Sequence, residues 1–139
     1  MTSISIIENK ISQIKKYQKI IKRLSKFSKK EIENNELIRG SVERYLHLIC
    51  QASIDLANIV ISYRRERKPI DQRDYFMVLV EEKIINNTMA DIMIKLVGFR
   101  NVLVHEYTKV DYNIVYDVLN NKVEDIDKFV KIIERKILK

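Results

Sequence analysis

Gly98-Phe99-Arg100-Asn101-Val102-Leu103-Val104-His105-Glu106-Tyr107 gathers a guanidinium, an amide, an imidazole and a phenol into one short stretch. Such a set suits work on a phosphodiester without a metal ion. A neutral imidazole with an unperturbed pKa of about 6.5 takes or gives a proton at cellular pH. A guanidinium stays charged and holds two phosphate oxygens with its fork. An amide at Asn101 can orient the imidazole or donate to an oxyanion. No paired carboxylates and no His/Cys cluster at metal-ligand spacing accompany them. Each residue also has a plainer role. An arginine or histidine near a helix C-terminus serves its last carbonyls, and a tyrosine there packs its ring.

The stretch closes an apolar helical pattern. On a helix, Asn101 and His105 are four apart and share a face, while Arg100 and Tyr107 lie two turns apart on a neighbouring stripe. Arg100 and His105, five apart, are separated by about 140° around the axis. One helix therefore does not aim both at one point unless Arg100 reaches around or a second copy contributes.

The elements that must position these residues are all helical. In 139 residues there are two glycines and one proline, too few for the turns of a β-rich fold. Ile4, Ile7, Ile11, Ile14, Ile21 and Leu24 recur at helical steps and predict a first amphipathic helix. Ser28 with Glu31 reads as a capping box, opening a helix that runs through Ile38, Val42, Leu46, Ile49 and Leu56 to Tyr63. Gly40 is a weak point that this helix should tolerate. Arg64 to Ile70 is a linker, since Pro69 disfavours helix at Lys68. Asp71 caps a short helix, which Asn86-Asn87 interrupts, providing the cap of the motif helix. Asp111 caps the last helix, with Val115, Val118 or Leu119, Ile126, Phe129, Ile133 and Ile137 as its stripe. The expectation is one all-α domain spanning residues 1–139, an antiparallel bundle of about five helices. Met89 and Met93 fall at core spacing, and His47, among Leu46, Leu48 and Ile49, reads as a helix-face or core residue.

Formal net charge is +7 and pI is near 9.4, which suits an anionic partner. The excess is uneven: nine lysines and arginines and no acid lie between Lys10 and Lys30, with a second cluster at Arg64-Arg65-Glu66-Arg67-Lys68. Such runs are usually solvated faces, and they become informative only beside a phosphate-cleaving motif. The lone Cys50 reads as a buried, inert thiol in a reducing compartment. With no secretory signal pattern and no apolar run approaching a membrane span, a cytoplasmic protein with no membrane partner is expected.

Arg100-x4-His105-x-Tyr107, with Asn101 after the arginine, resembles the signature of the HEPN superfamily, and more narrowly its HepT-type toxin branch. The likeness extends to Ser41-Val42-Glu43-Arg44-Tyr45-Leu46, to Asp55-Leu56-Ala57-Asn58 and to Val110-Asp111 with Ile114-Val115-Tyr116. The resemblance implies a homodimer that pairs its motif helices, bringing two Arg100 and two His105 into one cleft. It implies metal-independent RNA cleavage with Arg100, Asn101 and His105 catalytic and no cofactor. It also implies a minimal nucleotidyltransferase (MNT) antitoxin that transfers AMP from ATP to Tyr107. Two other classes stay open from the residues themselves: a helical adaptor that only binds such a transferase or a nucleotide, and a basic module that binds RNA or anionic surfaces without cutting.

Overall fold

The computed structural model describes residues 3–105 and 110–139. Its first helix, α1 (Ser3–Leu24), buries Ile7, Ile11, Ile14 and Ile21 and turns its lysines outward. The capping box forms as expected: the Ser28 hydroxyl accepts from the Glu31 amide at 3.1 Å, and the Glu31 carboxylate accepts from the Ser28 amide at 3.0 Å. The helix it opens is short, however. Instead of running on to Tyr63, α2 (Lys29–Asn34) stops at Asn35, and α3 (Glu36–Arg64) begins there. The cause is Asn35 itself. Its extended backbone ends α2, while its side-chain oxygen accepts from the Leu37 and Ile38 amides at 3.0 and 3.1 Å. That is an N-cap, a role Asn fills better than a mid-helix position.

Helix α3 is the central rod. It packs antiparallel to α1, with Lys10 within 3.8 Å of Asp55 at one end and Ile20 and Leu24 beside Ser41 and Tyr45 at the other. By length and composition it could cross a membrane, contrary to the sequence expectation, but 56% of its most apolar window is buried inside the bundle. Its apolar length serves the core. Gly40 is carried within it, as expected.

The loop after α3 turns at Arg65, in the left-handed region at φ 54°. Asp71 then caps α4 (Gln72–Glu81) by accepting from the Asp74 amide at 2.9 Å. Arg67 clamps this joint, reaching Asp74 at 2.7 Å and Glu81 at 2.7 Å. Part of the second basic cluster is therefore structural. Helix α4 ends before Asn86-Asn87, with Lys83 left-handed at φ 58°. Asn86 caps α5 (Asn87–Val104), accepting from the Met89 amide at 2.8 Å.

Asp111 caps α6 (Tyr112–Asp117), which a π-helical turn at Val118–Lys122 joins to α7 (Val123–Ile137). The wider turn shifts the register, so that Val118 and Leu119 are both buried, 5% and 3% exposed, where a regular helix would favour one of them. The stripe then continues through Ile126, Phe129, Ile133 and Ile137. Phe76 of α4 meets Phe129 of α7 edge-on, ring centroids 5.7 Å apart, which ties the last helix to the middle of the bundle.

Candidate active site at the end of helix α5

Helix α5 is fixed in rotation by the burial of Met89, Met93, Leu96, Val97 and Phe99. With that face inward, Arg100 and Asn101 come out half-buried at the flank. The Arg100 guanidinium donates through Nη2 to the side-chain oxygen of Gln72, the first residue of α4. Its Nε is buried and has no hydrogen-bond partner among the described residues. Gln72 is held in turn by what sets the start of α4, the Asp71 cap and the Arg67 clamp. Asp74 accepts from both Nη groups of Arg67, and its carboxyl is lowered to about 2, chiefly by the Arg67 hydrogen bonds and next by the Ile70 amide.

The charge of Arg100 also reaches α3. His47, half-buried, has its pKa lowered first by burial and then by the positive charges of Arg100 and Arg44. Burial pushes the Cys50 thiol up to about 12 against the opposing charge of Arg100, so Cys50 is inert as expected. His47 does occupy a helix face, but one that looks at the motif arginine. Sequence alone shows that Arg44, His47 and Gln51 share a stripe of α3 at three- and four-residue steps. It does not show that the stripe turns toward α5. Gln72 gave no signal at all.

His105 departs from the expected geometry. Helix α5 ends at Val104, and His105 is its C-cap with an extended backbone, φ −85° and ψ 100°. The shared face of Asn101 and His105 assumed a helix running through His105. That assumption fails because the chain leaves the helix one residue earlier. The 140° separation from Arg100 likewise no longer governs the imidazole. His105 is exposed, beside the outward-facing Val102 and Val104, 38% and 46% exposed. Arg100 thus faces the groove between α3 and α4, while His105 lies at the tip. Tyr107, the expected site of modification, lies outside the described residues, and so does its alignment with Arg100.

At the start of α6 the Tyr112 hydroxyl donates to the Glu43 carboxylate of α3 at 2.9 Å. Burial first, and then Glu43, push the Tyr112 phenol up to about 12, so it stays a donor. Glu43 and His47, one turn apart on α3, thus engage Tyr112 through a hydrogen bond and Arg100 through its charge. Among the described residues no group of three His, Cys, Asp or Glu is placed to hold a metal ion.

A family model described as ribonuclease HepT-like matches residues 7–133. The mRNA nuclease HepT of Shewanella oneidensis is 31% identical over 131 residues, covering 93% of this chain and 96% of that protein. The tRNA nuclease HepT of Aphanizomenon flos-aquae is 28% identical, over 94% of this chain and 90% of its own length. Among solved structures, a tri-AMPylated Shewanella oneidensis HEPN toxin in complex with its MNT antitoxin superposes with a TM-score of 0.88 at 30% identity. The superposition covers 98% of this chain and 100% of the toxin chain.

Proposed function

This chain belongs to the ribonuclease HepT-like family, and on that premise we propose that it is the toxin of a toxin–antitoxin pair, a metal-independent ribonuclease acting in the cytoplasm. The observation that carries the reading is the end of α5. Arg100 is anchored by Gln72 beside α3, and five residues on, His105 stands exposed just past the last helical residue. In the reaction, the RNA's own 2′-hydroxyl attacks the neighbouring phosphorus, and the 5′-oxygen of the next nucleotide leaves. His105 moves the proton, Arg100 steadies the charge on the phosphoryl oxygens, and Asn101 orients one of these groups.

The site is completed by a second copy. Pairing of two α5 ends about a two-fold axis would cover Val102 and Val104 and bring two Arg100–His105 sets into one cleft. An MNT-type nucleotidyltransferase neutralises the toxin by modifying Tyr107, as the AMPylated relative supports. The phenol oxygen attacks the α-phosphorus of ATP, pyrophosphate leaves, and the added phosphate charge repels RNA. Expression of His105→Ala tests the nuclease reading. Loss of general acid–base action lowers cleavage by about 10²–10⁴-fold and relieves growth arrest. Growth arrest undiminished in His105→Ala would show that cleavage is not how the protein acts. Co-expression with the transferase should add mass in adenylyl steps, mapped to the peptide carrying Tyr107.

A further inference from the structure

Most of the acid-free run of cations makes no ion pair among the described residues. Lys10, Lys15 and Lys29 pair with Asp55, Glu134 and Glu33, but Arg23 and Lys26, both exposed, have no ion-pair partner among the described residues. They stand over a cavity of about 470 Å³ where the end of α1 meets the start of α3, lined also by Ile20, Phe27, Ser41 and Tyr45. Tyr45 packs against Tyr17, ring centroids 6.2 Å apart and planes tilted by 58°. The volume is within the range of small-ligand sites, roughly 300–1,000 Å³. Two unpaired cations beside two partly open aromatic rings form the combination that holds single-stranded nucleic acid: charge for the backbone, ring faces for the bases.

We propose that this groove is a second RNA subsite, in which Phe27 and Tyr45 stack an unpaired base and Arg23 and Lys26 hold its flanking phosphates. The Ser41 hydroxyl is placed to hydrogen-bond the base edge. The subsite deepens the ribonuclease reading and rests on it for the identity of the strand. Ser41 and Tyr45 face α1 while His47 faces Arg100, so the groove and the motif lie on opposite flanks of α3. Exposed Arg44, also without an ion-pair partner among the described residues, sits between them in the helix. A strand bound at both places would cross α3 at Arg44. The groove thus favours substrates with an unpaired stretch next to the cut over continuous duplex.

The test is fluorescence anisotropy of the full chain with a short labelled 2′-O-methyl oligouridylate, which lacks the attacking hydroxyl and is not cut. Phe27→Leu keeps apolar bulk but removes a ring face, and should weaken binding by roughly 5- to 150-fold with the salt slope unchanged. Arg23→Gln with Lys26→Gln, two exposed positions, should flatten the slope of log K against log salt by about 1.4. The inference is overturned if both variants bind like the unaltered protein, or if duplex RNA loses as much affinity as the single strand. It is equally overturned if Phe27 and Arg23 matter only for vesicles containing phosphatidylserine. Cleavage of ordinary RNA separates this failure from that of the nuclease reading. An unaltered protein that cuts RNA, with Phe27→Leu indistinguishable from it, sinks the groove alone. Phe27-dependent binding without cutting sinks the nuclease alone.

Discussion

Gln72 is the contact on which the posture of Arg100 turns, and removing it has a calculable consequence. The Arg100 guanidinium is half-buried, its Nε already lacks a hydrogen-bond partner among the described residues, and its Nη2 donates to Gln72. A hydrogen bond to a charged group contributes about 1.5–3 kcal/mol, and stranding another buried donor falls in the same range. Gln72→Leu should therefore cost about 1.5–3 kcal/mol. With about 2.1 cal/mol/K of unfolding entropy per residue, 139 residues give about 0.29 kcal/mol/K, so the melting temperature should fall by about 5–10 °C. RNA cleavage should fall too, because a released Arg100 no longer waits beside the phosphate. Gln72→Glu separates the two effects. A carboxylate in the first turn of α4 suits the helix dipole and pairs with Arg100, so stability is kept or gained. Yet the neutralised guanidinium stabilises the phosphoryl oxygens less, and cleavage should still drop by at least about tenfold. Thermal unfolding followed by circular dichroism, with cleavage of a labelled RNA, reads both quantities. A Gln72→Leu protein that melts and cuts like the unaltered one would refute the anchoring role. So would a Gln72→Glu protein with full activity.

Three further outcomes follow from the same contacts. His47 has a lowered pKa in the fold, so the unfolded chain binds more protons between that value and about 6.5; stability is full above 6.5 and declines as pH falls through the lowered value. His47→Gln should flatten the melting temperature against pH in that window, and a curve of unchanged slope would count against the lowering of His47 by burial and the nearby arginine charges. Asp74, lowered from 3.8 to about 2, contributes stability that is present above 3.8 and lost as pH falls toward 2. Arg67→Gln should remove this component, which acid titrations followed by fluorescence or circular dichroism would detect. Gly40 lies inside α3 and, its own helix backbone aside, no described atom is within 4 Å of where a Cβ would stand, so Gly40→Ala should stabilise by about 0.5–1 kcal/mol, or about 2–3 °C. A loss of stability would mean that this face of α3 is covered by something other than water.

The bundle was legible because its helices carry their own evidence. Stripes at three and four residues, a capping box at Ser28 and Asx caps at Asp71, Asn86 and Asp111 are local signals, and all of them formed. The errors were local as well. Asn34-Asn35 lies in a polar gap between Ile32 and Leu37, where a continued helix and a fresh N-cap both fit the pattern; the cap's two hydrogen bonds decide for the break. Val118 and Leu119 looked like alternatives because a regular helix allows one per turn, and the π turn admits both.

The candidate site divides differently. Arg100, Asn101 and His105 were visible as a motif, but the helical geometry assigned to them ended too late, since no glycine or proline marks the stop at Val104. What surrounds Arg100 comes from far along the chain: Gln72 is 28 residues away, and His47 lies on another helix. Neither carries a signal of its own, because a glutamine at a helix start and a histidine in an apolar run each have ordinary roles. They gain meaning only when α3, α4 and α5 are packed together. The motif names the groups that can move a proton and hold a phosphate; tertiary packing sets which way the guanidinium faces and with what charge around it. A variant series at Gln72 and His47 therefore probes the fold's contribution to the chemistry, whereas one at Arg100 and His105 probes the chemistry itself. The two series should differ in kind, the first moving stability and activity together or in opposition, while exposed His105 in the second moves activity at near-constant stability and Arg100 also loses its hydrogen bond to Gln72.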